Sequence, residues 1–380
     1  MAREQTQQNS STADGAEGRR ATPRKKRKIK VKGIGRIRKH ELCPYTQKLA
    51  AMLDAGLPLI QCLAALSEQT EDPNFKKVVD DLRARVEGGD SFAEALSVYD
   101  QLFGDLYVNM VRAGEMGGGL GEVTARLASY LEASQELVRR VKSAMTYPIV
   151  VMVLATALAI GMLVFIVPVF EGIFEDFGGQ LPAPTQVLVN ISHIIRDKAP
   201  LVIIGAVALI YGLKRYKKTE HGALNFDRMV LKAPVAGALI EKIALARMSR
   251  TFASLLRSGV PILKTMEIVS QATGNRYIGR ALSTCGDDIE GGTNIGVSLK
   301  RSGQFPPMVI HMISAGEKTG NIDGMLEKVA DFYEDEVSNS LESLASMIEP
   351  LLMAFLGVVI GGIVICMFLP IFKMHEVVSN

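Results

Sequence analysis

The heptapeptide RAGEMGG, Arg112 to Gly118, returns as SAGEKTG, Ser314 to Gly320, 202 positions later. A second pair lies upstream of each: LDAGLPL, Leu53 to Leu59, and LRSGVPI, Leu256 to Ile262, 203 apart. The correspondence holds between and beyond these strings. Gly88, Gly89 and Leu96 fall on Gly291, Gly292 and Leu299 at 203. After the loss of one residue, Ala113, Tyr147-Pro148 and Pro168-Val169-Phe170 fall on Ala315, Glu349-Pro350 and Pro370-Ile371-Phe372 at 202. An offset kept over roughly 125 residues marks a duplicated domain rather than a short solenoid module. The fold must therefore contain two related halves.

Each copy ends in an apolar run. Ile149 to Val167 and Leu351 to Leu369 are each 19 residues without a charge, about long enough to cross a hydrocarbon core of about 30 Å as a helix. The alternative is a buried core helix; the recurrence of the run at the end of both copies favours membrane spans, in keeping with 48 % hydrophobic content and a positive mean hydropathy. If the copies share an orientation, the chain recrosses the bilayer between them. The candidate is the short stretch PLVIIGAVALIYGL, Pro200 to Leu213, with Lys198 before it and Lys214, Arg215, Tyr216, Lys217 and Lys218 after it.

Lys and Arg near the span ends set the orientation. Arg139, Arg140 and Lys142 precede the first span and the Lys214–Lys218 cluster follows the second, whereas residues 171–199 carry only Arg196 and Lys198. The expected layout is a disordered basic tail over 1–43, a cytoplasmic helical bundle over 44–146, a span over 147–170 and an external loop over 171–199. A short span over 200–216, a second cytoplasmic bundle over 217–348, a third span over 349–371 and an external tail over 372–380 complete it. That is a multi-pass membrane protein with its amino terminus inside.

The expected fold class is all-α, with two homologous six-helix bundles. YTQKLAAMLDAG stops at Gly56, and Pro58 is placed to open the next helix. DPNFKKVVDDLRARVEGG supplies a third helix, Ser91 with Glu94 a capping box for a fourth, and Leu106 to Arg112 a fifth that stops at Gly114. A sixth carries Val123, Leu127, Tyr130, Leu131, Ser134, Val138 and Val141 at helical spacing and points into the first span, with Pro148 as a kink or junction.

The repeated AGExxG then falls at the turn between the fifth and sixth helices. Gly114 and Gly316 are expected there with φ above zero, and Glu115 and Glu317 as acceptors for the first N–H groups of the sixth helix. This is a structural role; a surface turn gripped by a partner is the functional one, and the two are compatible. Gly118 and Gly320, the pairs Gly56-Pro58 and Gly259-Pro261, and Glu349-Pro350 complete the set of candidate contact residues.

Several chemistries are disfavoured. GEMGGGLGE lacks the strand before it and the Lys after it that a phosphate loop needs. His40, His193, His221, His311 and His375 are scattered, and neither H-E-x-x-H nor G-x-S-x-G occurs. No catalytic, cofactor or metal site is expected, and Cys43, Cys62, Cys285 and Cys366 read as reduced, buried small hydrophobes. The two 19-residue apolar runs hold no ionisable side chain other than Cys366, which counts against an ion pathway, although a transporter or channel component is the alternative reading. The run RKKRKIKVKGIGRIRK ends a polar tail that cannot bury a core. It would meet anionic membrane lipid or simply hold the amino terminus inside; nucleic acid is not expected without a folded reading surface.

The paired strings AGLPL…AGEMGGGL…YP…PVF and SGVPI…AGEKTGNI…EP…PIF carry a resemblance. Over about residues 44 to 375 the chain resembles the F-type inner-membrane platform proteins of type II secretion and type IV pilus assembly. The resemblance implies a scaffold rather than an enzyme. Its partners would be a cytoplasmic hexameric ATPase, pilin-like subunits, other inner-membrane assembly proteins and further copies of itself. Under it, Glu115, Glu317 and their flanking glycines would shape the ATPase-docking surface, and Glu349 would be a polar contact for a pilin subunit.

Overall fold

The computed structural model describes residues 41–176, 182–197, 199–217, 219–234 and 236–378. The basic tail as far as His40, together with Lys198, Lys218 and the last two residues, lies outside them. Among the described residues there are helices and no strand. The first copy comprises α1 (Leu42–Asp54), α2 (Leu59–Gln69), α3 (Pro73–Glu87), α4 (Phe92–Ser97), α5 (Asp100–Gly117) and α6 (Leu120–Gly161). A π-helical turn (Met162–Ile166), α7 (Val167–Asp176), α8 (Ala183–Asp197), α9 (Ala199–Tyr216) and α10 (Glu220–Leu231) lead to the second copy. That copy comprises α11 (Ala236–Arg257), α12 (Ile262–Ala272), α13 (Arg276–Glu290), α14 (Ile295–Ser302), α15 (Pro307–Thr319) and α16 (Ile322–Val378).

The helix starts repeat the sequence offset: Leu59, Pro73 and Phe92 match Ile262, Arg276 and Ile295 at 203, and Leu120 matches Ile322 at 202. Local chemistry explains the agreement. The Asp72 carboxylate accepts from Asn74 N at 2.7 Å and Phe75 N at 3.2 Å, and the Asn275 side chain accepts from Tyr277 N and Ile278 N at 2.9 and 3.1 Å. Each satisfies amides that the first turn leaves without partners. The cores coincide as well, since the buried Leu63, Phe92, Leu96 and Leu127 stand over the buried Met266, Ile295, Leu299 and Val329. Burying one such side chain stabilises by roughly 1.5–3 kcal/mol, so equivalent positions select equivalent folds.

Two departures from the sequence reading concern the fifth and sixth helices. α5 is longer than Leu106–Arg112 and reaches back to Asp100 through a non-helical Gly104. α6 runs unbroken through Pro148 into the first apolar run, and α16 through Pro350 into the last. Proline removes one backbone bond, and in helices of 42 and 57 residues the bonds on either side maintain the geometry.

The two copies share one stem. Leu137 of α6 packs with Val337 and Leu341 of α16, flanked by Val141 and by Leu239 and Ile243 of α11. Tyr130 Oη lies 3.1 Å from Thr251 Oγ1, and Arg140 donates to Ser338 Oγ at 2.8 Å. Beyond this stem, Leu120–Ile173 and Ile322–Leu369 are long and apolar enough to cross a membrane. Leu154 and Val358 are 69 % and 75 % exposed, the opposite of what a core helix would show. Within residues 171–199, read from sequence as an external loop, 171–176 and 183–197 are helical. α7 extends to Asp176, and α8 packs Val189 against Val167, Ile363 and Met367.

Candidate functional site

The AGE of each copy lies in the last turn of α5 or α15, and the chain reverses three residues later. The left-handed residues are Gly118 (φ 72°) and Gly320 (φ 73°), not Gly114 and Gly316 as the sequence reading supposed. Those two are helical, buried and small for a different reason. A Cβ on Gly114 would meet Val123 Cβ at 3.0 Å, and one on Gly316 would meet Ile322 Cα at 2.8 Å. They are glycine because the sixth helix of each copy crosses directly over them.

The carboxylates also serve a different helix from the one expected. Glu115 accepts from Phe92 N at 2.5 Å and Ala93 N at 2.9 Å; Glu317 accepts from Ile295 N at 2.9 Å and Gly296 N at 3.4 Å. Each therefore caps the fourth helix of its copy, across 21 to 23 residues of sequence, and not the adjoining sixth helix. Short helices need this most, because their free amides are a large share of their backbone groups. α4 and α14 have six and eight residues, and a carboxylate there also meets the positive end of the dipole. Ser91 adds a bond from Glu94 N at 3.1 Å in α4, whereas Asn294 makes no side-chain cap in α14.

The remaining motif residues gather at the same end. Gly56 and Gly259 are left-handed (φ 82° and 80°), and Pro58 and Pro261 sit one residue before their helices, at the N-cap. A Cβ on Gly121 would lie 3.5 Å from the backbone of Leu53 and Asp54, so the α1–α2 turn adjoins the start of α6. The Arg126 guanidinium donates to the Arg257 carbonyl, and Arg257 pairs with Asp323 at 3.2 Å and Glu327 at 2.5 Å. The starts of α6 and α16 are thereby held side by side. Exposed around them are Leu57, Ile60, Met116 (84 %) and Leu263, with Lys318 also exposed.

From this end α6 rises about 44 Å between Leu120 and Ile149 at 1.5 Å per residue, as α16 does between Ile322 and Leu351. Glu349 and Pro350 are thus remote from the motif end: both are exposed on α16 near the start of its apolar run, as Tyr147 is on α6. Ten of the twelve candidate residues thus lie at the motif end, Gly114 and Gly316 buried beneath it, and this pair lies apart.

Sequence reasoning missed the seam between α11 and α16. Lys242 binds Glu336 at 2.7 Å, Arg250 binds Asp331 at 2.7 Å and Glu334 at 2.9 Å, and Arg257 binds Asp323 and Glu327. The signal was present as basic residues 8 and 7 apart on α11 and an acidic stretch at the matching spacing on α16. Burial pushes the Cys43, Cys62 and Cys285 thiols up from their ordinary value, in keeping with small core residues. Among the described residues, no group of three or more His, Cys, Asp or Glu is arranged to hold a metal.

The family described as "Type II secretion system (T2SS), protein F" matches the chain twice, over residues 45–168 and 248–370. The type IV pilus assembly protein PilC of Myxococcus xanthus is 42 % identical over 346 residues, covering 91 % of this chain and 83 % of that protein. Its Thermus thermophilus counterpart is 44 % identical over 340 residues, covering 89 % and 84 %. The type II secretion system protein F of Vibrio cholerae is 30 % identical over 340 residues, covering 90 % and 84 %.

Proposed function

Because the chain belongs to the type II secretion system protein F family, we propose that it is the inner-membrane platform of a type IV pilus machine. In this role it passes the displacement of a cytoplasmic hexameric ATPase to pilin-like subunits in the membrane and catalyses nothing itself. The pilus reading is preferred to secretion because identity reaches 44 % with a pilus assembly protein and 32 % with a secretion protein. The observation that carries the mechanism is the continuity of α6 and α16 from the repeated motif into the apolar runs. A helix without a joint transmits a push along its axis.

In this reading each copy is a six-helix cytoplasmic bundle followed by its own span. α9 is the short span between the copies; its 18 residues extend about 27 Å, against a hydrocarbon core of about 30 Å. Its outward Leu201, Ile204, Val207 and Leu209 face lipid, and Lys214 and Arg215 hold its end at the cytoplasmic surface. The ATPase docks on the motif end, where Met116 and Lys318 are the contact side chains, while Glu115, Glu317 and the glycines give that surface its shape. Glu349 meets pilin-like subunits at the membrane face, other assembly proteins and further copies of the chain complete the machine, and the basic tail lies on anionic lipid.

Two experiments test this. A photo-cross-linking side chain at Met116 or Lys318 should capture the ATPase in cells, and the same group at Met229 on α10 should not; the reverse pattern moves the docking surface elsewhere. Single cysteines at Ser97, Gln180, Ser302 and Ser379 should react with an impermeant thiol reagent on spheroplasts only at Gln180 and Ser379. Reaction at Ser302 would mean that α9 does not cross.

A further inference from the structure

α8 touches both apolar helices through two buried hydroxyls. Thr185 Oγ1 donates to the Cys366 carbonyl at 2.6 Å, and Ser192 Oγ to the Leu163 carbonyl at 2.5 Å. Neither acceptor is arbitrary. In α16, the residue four positions after Cys366 is Pro370, which has no N–H to return. In the π turn the Val167 N–H goes to the Met162 carbonyl, so Leu163 depends on the next residue, Pro168, which has no N–H either. Pro168 and Pro370 are the same proline of the duplicated unit, 202 apart. Each span thus contains, at an equivalent place, one carbonyl that its own proline has stripped of a helical donor. α8 brings a hydroxyl to each.

The geometry fixes how α8 lies. Thr185 and Ser192 are seven residues apart, a rise of about 10.5 Å, close to the roughly 8–10 Å between axes of packed helices. The two acceptors are 203 apart in sequence, and lower down Arg140 meets Ser338 and Leu137 meets Val337 at nearly the same offset. The spans therefore run in parallel and in register, and α8 lies across them at one depth. Its other two faces differ in polarity. Val187, Ile191 and Ile194 form an exposed apolar stripe, and Gln186, Asn190 and His193 an exposed polar one. At 100° per residue the stripes point about 100° apart, the polar one beside the buried face and the apolar one nearly opposite it. The polar stripe looks away from the bundles, because His193 Nε2 meets Glu171 Oε2 at 3.0 Å, and Glu171 lies past the end of the apolar run.

Taking α6 and α16 as membrane spans, we propose that α8 is an interfacial helix seated in the leaflet remote from the bundles, where it staples the two spans by replacing the donors lost at Pro168 and Pro370. Its apolar stripe rests on acyl chains and its polar stripe meets water, the arrangement of an amphipathic helix lying in the membrane plane. A carbonyl without a donor is costly in hydrocarbon, so the bonds that satisfy the spans also keep α8 in place. The spans of the two copies then move as one unit.

The test uses the full-length chain, with its native cysteines replaced, in phosphatidylethanolamine–phosphatidylglycerol liposomes. Nitroxides at Leu154, Asn190 and Ile191 report collisions with oxygen and with a water-soluble nickel chelate. Leu154 and Ile191 should be reached by oxygen and shielded from nickel, and Asn190 should be reached by nickel. Nickel access at Ile191 with Leu154 shielded overturns the interfacial placement and leaves the spans standing; nickel access at Leu154 overturns the spans and the proposal with them. Thr185→Val with Ser192→Ala should raise nickel access at Ile191 by roughly tenfold, as the loss of two hydrogen bonds allows. Thr185→Ser, which restores a donor, should not change it. An unchanged Ile191 in the double variant overturns the staple.

Discussion

Glu115 and Glu317 hold equivalent places but unequal shares of the work. α4 keeps the Ser91 bond when Glu115 is removed, whereas α14 has no second side-chain cap. Glu317→Ala should therefore destabilise by more than the ~1 kcal/mol typical of a lost cap, and Glu115→Ala by less. Hydrogen exchange at the amides of Ile295, Gly296 and Val297 measures the first, and at those of Phe92 and Ala93 the second; equal acceleration in both copies would contradict the asymmetry. The glycines differ similarly. Gly316→Ala drives a methyl against backbone at 2.8 Å and Gly114→Ala against a side chain at 3.0 Å, so the former should cost more stability in thermal unfolding, because a side chain yields more readily than a helix axis. The raised thiols of Cys43, Cys62 and Cys285 hold less reactive thiolate at any pH below their titration, so the folded chain should resist alkylation at these positions at pH 8.

At the level of elements, the seam between α11 and α16 holds the second bundle to its own span helix. Arg250 is 19 % exposed at its side chain, facing Glu334 at 26 %; Arg257 and Glu327 are more open at 36 % and 39 %. Screening by water weakens the open pair more. A double-mutant cycle with Arg250→Ala and Glu334→Ala should give a coupling of about 1 kcal/mol. The Arg257–Glu327 cycle should give less and lose most of its coupling at high salt. The reverse order would mean that the seam is held by its apolar contacts, and that the ion pairs only decorate it.

On the scale of the molecule, α6 and α16 join the motif surface to the membrane without a joint. Under the proposed platform function, inserting a Gly-Ser-Gly-Ser segment after Ser143 and another after Ala345 should leave ATPase capture intact and abolish pili, because the push is lost in the flexible links. Pili with normal extension would show that movement reaches the spans by another route.

The duplication, the all-helical class, the cap at Ser91 and the apolar run closing each copy were legible in the sequence because they depend on residues close together in the chain or on periodicity. The gathering of Gly56, Gly118, Gly259 and Gly320 at one end was half legible, since turn chemistry locates the reversals but not their neighbours. Tertiary structure alone decided which helix Glu115 and Glu317 cap, why Gly114 and Gly316 have no side chain, and that Thr185 and Ser192 serve carboxyl-terminal turns 181 and 29 residues away. The physical reason is common to all three. An unsatisfied amide or carbonyl accepts any partner that packing brings within reach, and which one arrives depends on how the helices cross rather than on what precedes it in the chain.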